Sequence, residues 1–143
     1  LNVKRGFMNK TFAMLKPDAI QDKLTGHILK FIELNGFEIL RMSKITLSLS
    51  QAEEFYGVHH GKVFFEELVQ YITSGPVIIL ALSKQNAVVD WRNLMGATNP
   101  ANASIGTIRR MYAQSIGRNA VHGSDSEENA KKELVFFFKD LVF

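Results

Sequence analysis

Val77-Ile78-Ile79-Leu80-Ala81-Leu82 is an unbroken apolar run of β-branched and aliphatic residues that follows directly on Ser74-Gly75-Pro76. This density predicts a central strand that is buried on both faces of a sheet. The run is far shorter than the roughly 20 residues that a membrane-spanning helix needs. Other strands and helices of the chain must therefore pack around this one.

The preceding part of the chain predicts a strand, a helix and a second strand. Thr11-Phe12-Ala13-Met14-Leu15 is a short apolar strand, and Pro17 disfavours helical geometry at Lys16, which places that lysine at the strand end. A four-residue apolar spacing then predicts one amphipathic helix closed by Asn35-Gly36, with an inward face formed by Ile20, Leu24, Ile28 and Ile32. Residues 37–47 return to strand-like composition.

Several more helices are predicted from capping signals and apolar stripes. Ser50-Gln51-Ala52-Glu53 has the pattern of a capping box. A helical stripe follows at Phe64, Phe65, Leu68, Val69 and Ile72, and residues 88–95 can form another helix. Ser124-Asp125-Ser126-Glu127 is a second capping box, and it predicts a last helix whose inward side chains are Ala130, Leu134, Phe137 and Phe138.

Residues 96–118 break this pattern, because glycine, proline and small polar residues dominate them. We expect a long irregular loop with one helical turn near Ile108, and loops of this length in compact domains are usually functional. Strands and helices otherwise alternate without repeats or linkers. The alternation predicts one α/β or α+β sandwich in which helices cover a single sheet.

Composition limits the function classes that remain. The 143 residues and 46% hydrophobic content suit one globular domain. The absence of cysteine excludes disulfides and thiolate metal sites and is compatible with the cytoplasm, where we expect the protein to reside. Residues 57–63 do not have Walker A spacing, and the four histidines do not have the spacing of a protein-bound metal site.

The first seven residues are expected to lie outside the domain. Met8 has the position of a natural start, so we expect residues 1–7 to be an expression remnant and residues 8–143 to be the single domain. Those first residues include Lys4 and Arg5, so the formal net charge of +3, less these two charges, becomes +1. Such a weak charge argues against nucleic acid as the main partner.

His122 is the strongest candidate for chemistry. It follows a short apolar run and precedes Gly123 and Ser124. Gly123 has no side chain, so we expect it to make room for a reacting phosphate beside the ring. Near pH 7 much of a histidine with a pKa of about 6.5 is neutral and can attack phosphorus or accept a proton, although an isolated histidine is more often structural. Glu133 flanks the inward face of the last helix and, if partly buried, needs a partner. A Glu133 carboxylate on one ring N–H would leave the other His122 nitrogen free.

The chain resembles the nucleoside diphosphate kinase family over the span from residue 10 to residue 138. The order of the matching blocks is highly specific. They are Thr11-Phe12-Ala13-Met14-Leu15-Lys16-Pro17-Asp18, Phe64-Phe65, Ser74-Gly75-Pro76-Val77, Gly96-Ala97-Thr98-Asn99-Pro100, Gly106-Thr107-Ile108-Arg109, Gly117-Arg118-Asn119 and His122-Gly123-Ser124-Asp125-Ser126.

The resemblance implies a fold, a reaction and an assembly. The fold is a ferredoxin-like βαββαβ sandwich of the α+β class, with a four-stranded antiparallel sheet covered by helices. The reaction is ping-pong transfer of the γ-phosphate of a nucleoside triphosphate such as ATP to a diphosphate such as GDP, through a phosphohistidine at His122. The assembly is a homo-oligomer, a tetramer or a hexamer, with Pro100 near a subunit contact. Mg²⁺ is expected to arrive on the nucleotide phosphates and not in a protein-made metal site.

The resemblance also implies roles for individual residues. Arg92, Thr98 and Arg109 match phosphate ligands, while Lys16 and Asn119 match residues that hold ribose hydroxyls. Lys16 also reaches the transferred phosphoryl group, and Tyr56 supports it near the histidine. Glu133 orients His122, and Ser124 contributes a hydroxyl nearby. Phe64 and Ile116 would stack on opposite faces of the base, which predicts little discrimination among bases.

One departure and two alternatives accompany this interpretation. Val63 stands where the family usually has proline, so the placement of Phe64 is expected to be less rigid. A nucleic-acid-binding or regulatory scaffold of the same fold is the main alternative, and a degenerate pseudoenzyme is the other. The weak net charge and the complete set of His122, Glu133 and arginines favour the enzyme over both.

Overall fold

The structure is a computed structural model that describes residues 8–142; the predicted expression remnant at residues 1–7 lies outside them. Its centre is one sheet in the order β2-β3-β1-β4, in which all neighbouring strands are antiparallel. The strands are β1 (Met8–Leu15), β2 (Glu38–Ile45), β3 (Val77–Gln85) and β4 (Val121–Gly123). The run at residues 77–82 is therefore an interior strand, as its composition predicts.

Helices cover both faces of this sheet. In chain order they are α1 (Pro17–Gln21), α2 (Thr25–Leu34), α3 (Leu49–Phe55), α4 (Phe65–Ile72), α5 (Ala87–Met95), α6 (Ile108–Tyr112) and α7 (Glu127–Phe137), with short 3-10 turns at Gly57–His59 and Pro100–Asn102. Within residues 8–142, none of the helices is long and apolar enough to cross a membrane. The predicted α+β fold is confirmed.

The two central strands are buried on both faces, because successive side chains of a strand point in opposite directions. Leu80 and Leu82 pack with α2 and α5 side chains such as Ile32 and Trp91. Phe12 and Met14 face the other way, into a second cluster with side chains of α3, α4 and α7. This arrangement leaves the short β4 at the sheet edge, next to β1 and between the two helical layers.

The predicted helix over residues 20–32 is in fact two helices, and that prediction was wrong. Lys23 adopts a positive φ of 60°, which ends α1, and Leu24 becomes the N-cap of α2. The apolar residues therefore keep helical spacing although the helix itself is interrupted between them. The predicted end at Asn35-Gly36 is confirmed, since Gly36 adopts φ +88° directly after the helix.

Both predicted helix caps are shifted by two residues, and only the first of them is a capping box. Ser48, not Ser50, caps α3, through reciprocal hydrogen bonds with Gln51. Ser126, not Ser124, caps α7 by accepting a hydrogen bond from the Asn129 amide. In each stretch a second serine also suits a cap, and local sequence alone does not choose between them. The correction releases the Ser124 hydroxyl for another partner.

Candidate active site

His122 lies in the middle of β4, opposite Met14 of β1. Its backbone carbonyl accepts a hydrogen bond from Trp91 Nε1 at 3.2 Å. Its side chain is 22% exposed, and the ring of Phe55 meets the imidazole edge to face at a centroid distance of 5.0 Å. The imidazole is thus fixed between a strand and a helix while part of it stays open to solvent.

The predicted contact between His122 and Glu133 is present. Nε2 of the imidazole lies 3.0 Å from Glu133 Oε1, and the Ser124 hydroxyl donates to the same oxygen at 2.8 Å. A carboxylate accepts, so the ring proton is placed on Nε2 and Nδ1 keeps its lone pair. Ser124 is fully buried, and its hydroxyl therefore holds the carboxylate against the ring.

The protonation state of His122 also suits a nucleophile. Burial lowers the pKa of its imidazole, and the charges of Lys16 and Arg109 act in the same direction. The hydrogen bond and the negative charge of Glu133 act against this shift, but they are weaker than burial. The ring is consequently neutral near pH 7, with a lone pair available on Nδ1.

Gly123 has a packing role that sequence reasoning assigned differently. We expected its missing side chain to make room for a reacting phosphate. A Cβ at this position would instead lie 2.4 Å from Trp91 Cδ1 and 2.7 Å from Met95 Cε. The space beside Gly123 is therefore filled by the indole that holds the His122 carbonyl.

A group of hydrogen-bond donors lies near the N-terminal end of β4. Lys16, directly after β1, donates from Nζ to Asn119 Oδ1 at 2.8 Å. Asn119 Nδ2 reaches the carbonyl of Thr98 at 3.4 Å, so the long loop is tied to the same group. Burial, and then the charge of Arg109, lower the pKa of Lys16 to about 8, while Asp18 acts in the opposite direction. Lys16 is therefore a cation at neutral pH that a modest rise in pH neutralises.

Arg109 is buried and spends three of its donors on the backbone. Its guanidinium donates to the carbonyls of Gly96 at 3.0 Å, Val121 at 2.8 Å and Asn119 at 3.3 Å. Burial, with a smaller contribution from Arg92, lowers the pKa of Arg109 to about 10, so it remains charged near pH 7. Arg109 thus fixes the chain on either side of residue 120 and also brings positive charge beside His122.

Tyr56 and Glu133 line a cleft of about 680 Å³ with His122. Burial, and then the negative charge of Glu133, raise the pKa of Tyr56 to about 12, so its hydroxyl stays protonated and can donate. His59 lies in the same cleft, with its ring between those of Tyr56 and Phe64 at 6.3 and 5.3 Å. His59 therefore connects the cleft to the exposed Phe64.

The remaining predicted site residues are exposed at the surface. Arg92 and the Thr98 side chain are exposed, and Phe64 is 44% exposed beside Lys62. Ile116 is exposed and lines a separate cavity of about 670 Å³ with residues of the long loop, including Pro100. The structure thus brings the histidine, carboxylate and tyrosine together in one cleft, with the Lys16–Asn119 pair close enough for the lysine charge to act on His122, whereas Phe64 lines neither of the two cavities.

Sequence reasoning did not select three side chains that shape this site. Phe55 packs against the imidazole, Trp91 holds the His122 carbonyl, and Asp18 accepts a hydrogen bond from the Ala120 amide at 3.0 Å. Asp18 lies within a block that carries the family resemblance, and Trp91 is the only tryptophan of the chain. Those two signals could have drawn attention to them.

The arrangement suits the transfer of an anionic group to a neutral imidazole. Lys16 and Arg109 bring positive charge near His122, and the Glu133 carboxylate orients the ring through Nε2. Among residues 8–142, no three histidine, cysteine or acidic side chains form a cluster that could hold a metal ion. The donors present bind phosphate oxygens readily, so a divalent cation would fit here on a phosphate ligand.

Comparison with known proteins agrees with this chemistry. The family described as "Nucleoside diphosphate kinase" matches residues 9–142. A nucleoside diphosphate kinase of Citrifermentans bemidjiense is 54% identical over 134 residues, which cover 94% of this chain and 98% of that protein. The corresponding protein of Methylobacterium radiotolerans is 52% identical over 92% of this chain and 94% of its own length.

Solved structures show the same fold. The nucleoside diphosphate kinase of Aquifex aeolicus superposes with a TM-score of 0.90 at 34% identity, over 92% of this chain and 96% of that one. A halophilic nucleoside diphosphate kinase from Halobacterium salinarum, solved in complex with CDP, gives a TM-score of 0.90 at 38% identity, over 94% and 90% of the two chains. On the strength of this similarity and of the site geometry, the chain is an enzyme of the nucleoside diphosphate kinase family.

Proposed function

We propose that this enzyme moves the γ-phosphate of a nucleoside triphosphate to a nucleoside diphosphate in two half-reactions, through a phosphohistidine at His122. The observation that carries the proposal is the engagement of Nε2 by Glu133, at 3.0 Å, on an imidazole whose pKa is lowered by burial. A nucleophile needs this combination of a free lone pair and a fixed orientation.

In the first half-reaction the Nδ1 lone pair forms a bond to the γ-phosphorus. The bond from that phosphorus to the β,γ-bridging oxygen breaks, and the oxygen keeps the electron pair as the diphosphate leaves. The second half-reaction runs in reverse, with a terminal oxygen of the acceptor diphosphate attacking the phosphohistidine. The positive charge that forms on the ring is stabilised by Glu133 through Nε2–H, and Ser124 supports that carboxylate.

We assign the remaining side chains by their chemistry and by the family resemblance. Arg92, Thr98 and Arg109 are the proposed phosphate ligands, because such transfer depends on positioning and positive charge. Lys16 and Asn119 hold ribose hydroxyls, and Lys16 with Tyr56 supports the transferred group. Arg109 can bind phosphate with the guanidinium N–H groups that its three hydrogen bonds to backbone carbonyls leave free.

Phe64 and Ile116 are the proposed platforms for the base. Phe64 is exposed, as a stacking platform requires, and Val63 before it is fully exposed. A ring face is common to every base, so this mode of binding predicts acceptance of several nucleotides.

The proposed metal is Mg²⁺ that enters with the nucleotide. Phosphate oxygens and water would hold it, since lysine, arginine and amide groups dominate that side of the site. When bound, it neutralises phosphate charge and helps the diphosphate leave. The role of the protein is to bind the same phosphates through the proposed ligand side chains.

A homo-oligomer, tetramer or hexamer, is also part of this proposal. Its support is the family resemblance together with exposed apolar side chains such as Met42 on the edge strand β2. Light scattering coupled to size exclusion will give the number of subunits. The cytoplasmic location stays a prediction that rests on a chain without cysteine.

The decisive experiment is to label the purified protein with γ-³²P-ATP and Mg²⁺ and then to chase with GDP. We expect acid-labile, alkali-stable label on the wild type, and its transfer to GTP in the chase. His122→Ala should take up no label. His27→Ala is the matched control, because His27 is an exposed histidine of α2 outside the cleft, and it should behave as wild type.

The outcomes separate the proposal from its alternative. Label on His122→Ala would move the phosphorylated residue elsewhere. Failure of the folded wild type to take up any label would reject the phosphohistidine and leave a nucleotide-binding or scaffold role. In that case substantial, salt-sensitive DNA binding would support the scaffold.

A further inference from the structure

The chain makes an unusual turn just before the nucleophile. Val121 N–H donates to the Asn119 carbonyl at 2.8 Å, and Ala120 between them has a φ of +72°. A three-residue turn with a positive central φ is the rare and strained form of the γ-turn. Alanine disfavours this conformation because its Cβ approaches the following carbonyl oxygen. Some other contact must therefore hold Ala120 in place.

Asp18, at the start of α1, supplies that contact. Its Oδ2 accepts the Ala120 N–H at 3.0 Å, although the two residues are 102 positions apart. Its Oδ1 accepts a hydrogen bond from the Tyr71 hydroxyl of α4. The carboxylate is 2% exposed, so both bonds are shielded from water. Nearby, the Lys16 N–H donates to the Ala120 carbonyl at 2.9 Å.

The turn joins two groups that have to be placed relative to each other. On one side is Asn119, whose side chain accepts from Lys16 Nζ at 2.8 Å. On the other side is His122, two residues after Ala120. If the turn relaxed to a negative φ, the direction of the chain between these groups would change. The distance from the nitrogen nucleophile to the lysine and asparagine donors would change with it.

We propose that Asp18 is a positioning residue for phosphotransfer, and that it acts by holding Ala120 in the strained γ-turn that places His122 relative to Lys16 and Asn119. This inference rests on the proposed phosphohistidine mechanism. The side-chain hydrogen bonds of the Asp18 carboxylate go to Ala120 and Tyr71 and not to the imidazole or the predicted nucleotide ligands, although its negative charge also raises the pKa of Lys16. The positioning effect passes through the backbone of residue 120, and it is the part of the effect that Ala120→Gly should reverse.

The proposal makes a specific claim about Ala120→Gly. Glycine adopts positive φ without a Cβ penalty, so a glycine at 120 no longer needs Asp18 to hold the turn. Asp18→Ala should slow phosphohistidine formation at saturating ATP by about tenfold or more. The Ala120 N–H loses its hydrogen bond to a buried carboxylate, and the resulting misplacement of His122 raises the barrier. The double variant Asp18→Ala with Ala120→Gly should recover most of that rate.

Two further variants separate positioning from general stability. Asp18→Asn keeps an oxygen for the Ala120 amide and a side-chain amide for the Tyr71 hydroxyl, and should keep a rate within about threefold of wild type. Tyr71→Phe removes only the second bond of the carboxylate. It should lower the unfolding midpoint in urea while the phosphorylation rate stays close to wild type.

The experiment is rapid-quench measurement of phosphohistidine formation from γ-³²P-ATP with Mg²⁺, together with urea unfolding of every variant. Recovery of rate by Ala120→Gly supports the proposal, and the double variant should recover only the part of the stability that glycine supplies by relieving the positive φ, since the Ala120 N–H and the Tyr71 hydroxyl still lack the carboxylate. The proposal is overturned if Asp18→Ala reacts as fast as wild type, if glycine at 120 does not restore the rate, or if Tyr71→Phe is equally slow.

Asp18→Ser serves if Asp18→Ala does not fold, because its hydroxyl is too short to reach both partners and the same rescue by Ala120→Gly is expected. Failure of this inference is distinct from failure of the proposed function. If wild type forms no phosphohistidine, the mechanism itself is rejected. If wild type is labelled and the Asp18 variants match it, only the positioning role is rejected.

Discussion

Gly123→Ala is the most informative single substitution for testing how the nucleophile is held. The added Cβ would lie 2.4 Å from Trp91 Cδ1, 2.6 Å from Trp91 Nε1 and 2.7 Å from Met95 Cε. Gly123 is not among the residues with a positive φ, so the backbone itself tolerates alanine. Any effect of the substitution therefore comes from contact with the indole and the methionine.

The magnitude follows from the packing of Trp91. Its side chain is fully buried, so it cannot swing out into solvent to relieve the contact. Overpacking of a close-packed core costs about 1–3 kcal/mol. In a domain of this size we expect the melting temperature to fall by about 4 °C for each kcal/mol. The indole also holds the His122 carbonyl, so the imidazole moves with it, and phosphohistidine formation should slow by about 10- to 100-fold.

The assay is thermal and urea unfolding at a fixed protein concentration, together with a rapid-quench measurement of labelling by γ-³²P-ATP. Gly26→Ala is the matched control, because no heavy atom lies within 4 Å of its added Cβ on α2. That control should be as stable as wild type or more stable by about 0.5–1 kcal/mol, since alanine is the better helix residue. Wild-type stability and rate in Gly123→Ala would refute the argument, as would an equal loss in Gly26→Ala.

Three further predictions concern the chemistry. Glu133→Gln should slow phosphohistidine formation about 10- to 100-fold with little change in nucleotide affinity, measured by rapid quench and calorimetry, because the charge that stabilises the imidazolium is lost; an unchanged rate would contradict its role. Phe64→Ala should raise KM by a similar factor of about 10 for purine and pyrimidine diphosphates in steady-state assays, and selective loss of one base would contradict simple stacking. The rate of phosphohistidine formation should persist below pH 6.5, since burial lowers the pKa of His122. It should fall above pH 8 as Lys16 loses its proton. If the pH profile of Lys16→Arg kept the alkaline decline, the assignment of that decline to Lys16 would be wrong.

Strands β1, β2 and β3 were predictable from their local composition, whereas the four-stranded sheet that includes the three-residue β4 was expected only from the family resemblance. The apolar run of β3 admits only an interior position, and Pro17 ends β1 where the structure ends it. The inward side chains Ala130 and Leu134 of α7 were predictable for the same reason, since both are buried at helical spacing. In these segments local periodicity and tertiary packing agree.

Other features depend on contacts that no local pattern contains. The apolar residues around Leu24 continue at four-residue spacing, although the helix is interrupted by the positive φ of Lys23. Ser124 and Ser126 are both suitable caps, and only the distant Glu133 decides that Ser124 donates to it. The positive φ of Ala120 was not predictable either, because alanine does not favour it and the stabilising Asp18 is far away in sequence.

The candidate site was partly predictable. The contact of His122 with Glu133 followed from the position of that carboxylate on the face of a helix. The use of Arg109 did not follow, since three of its donors bind backbone carbonyls before any phosphate arrives. An arginine in a sequence shows its charge but not the partners that its donors will find.

The separation of 103 residues between Lys16 and Asn119 bears on how the protein folds. During synthesis β1 is complete long before β4 emerges, so the strand that carries His122 must find its place beside a structure already formed. Contacts between distant segments form slowly because a long loop has to close first. Catalytic competence is therefore acquired late in folding, and recovery of phosphohistidine formation during refolding should lag behind the recovery of secondary structure.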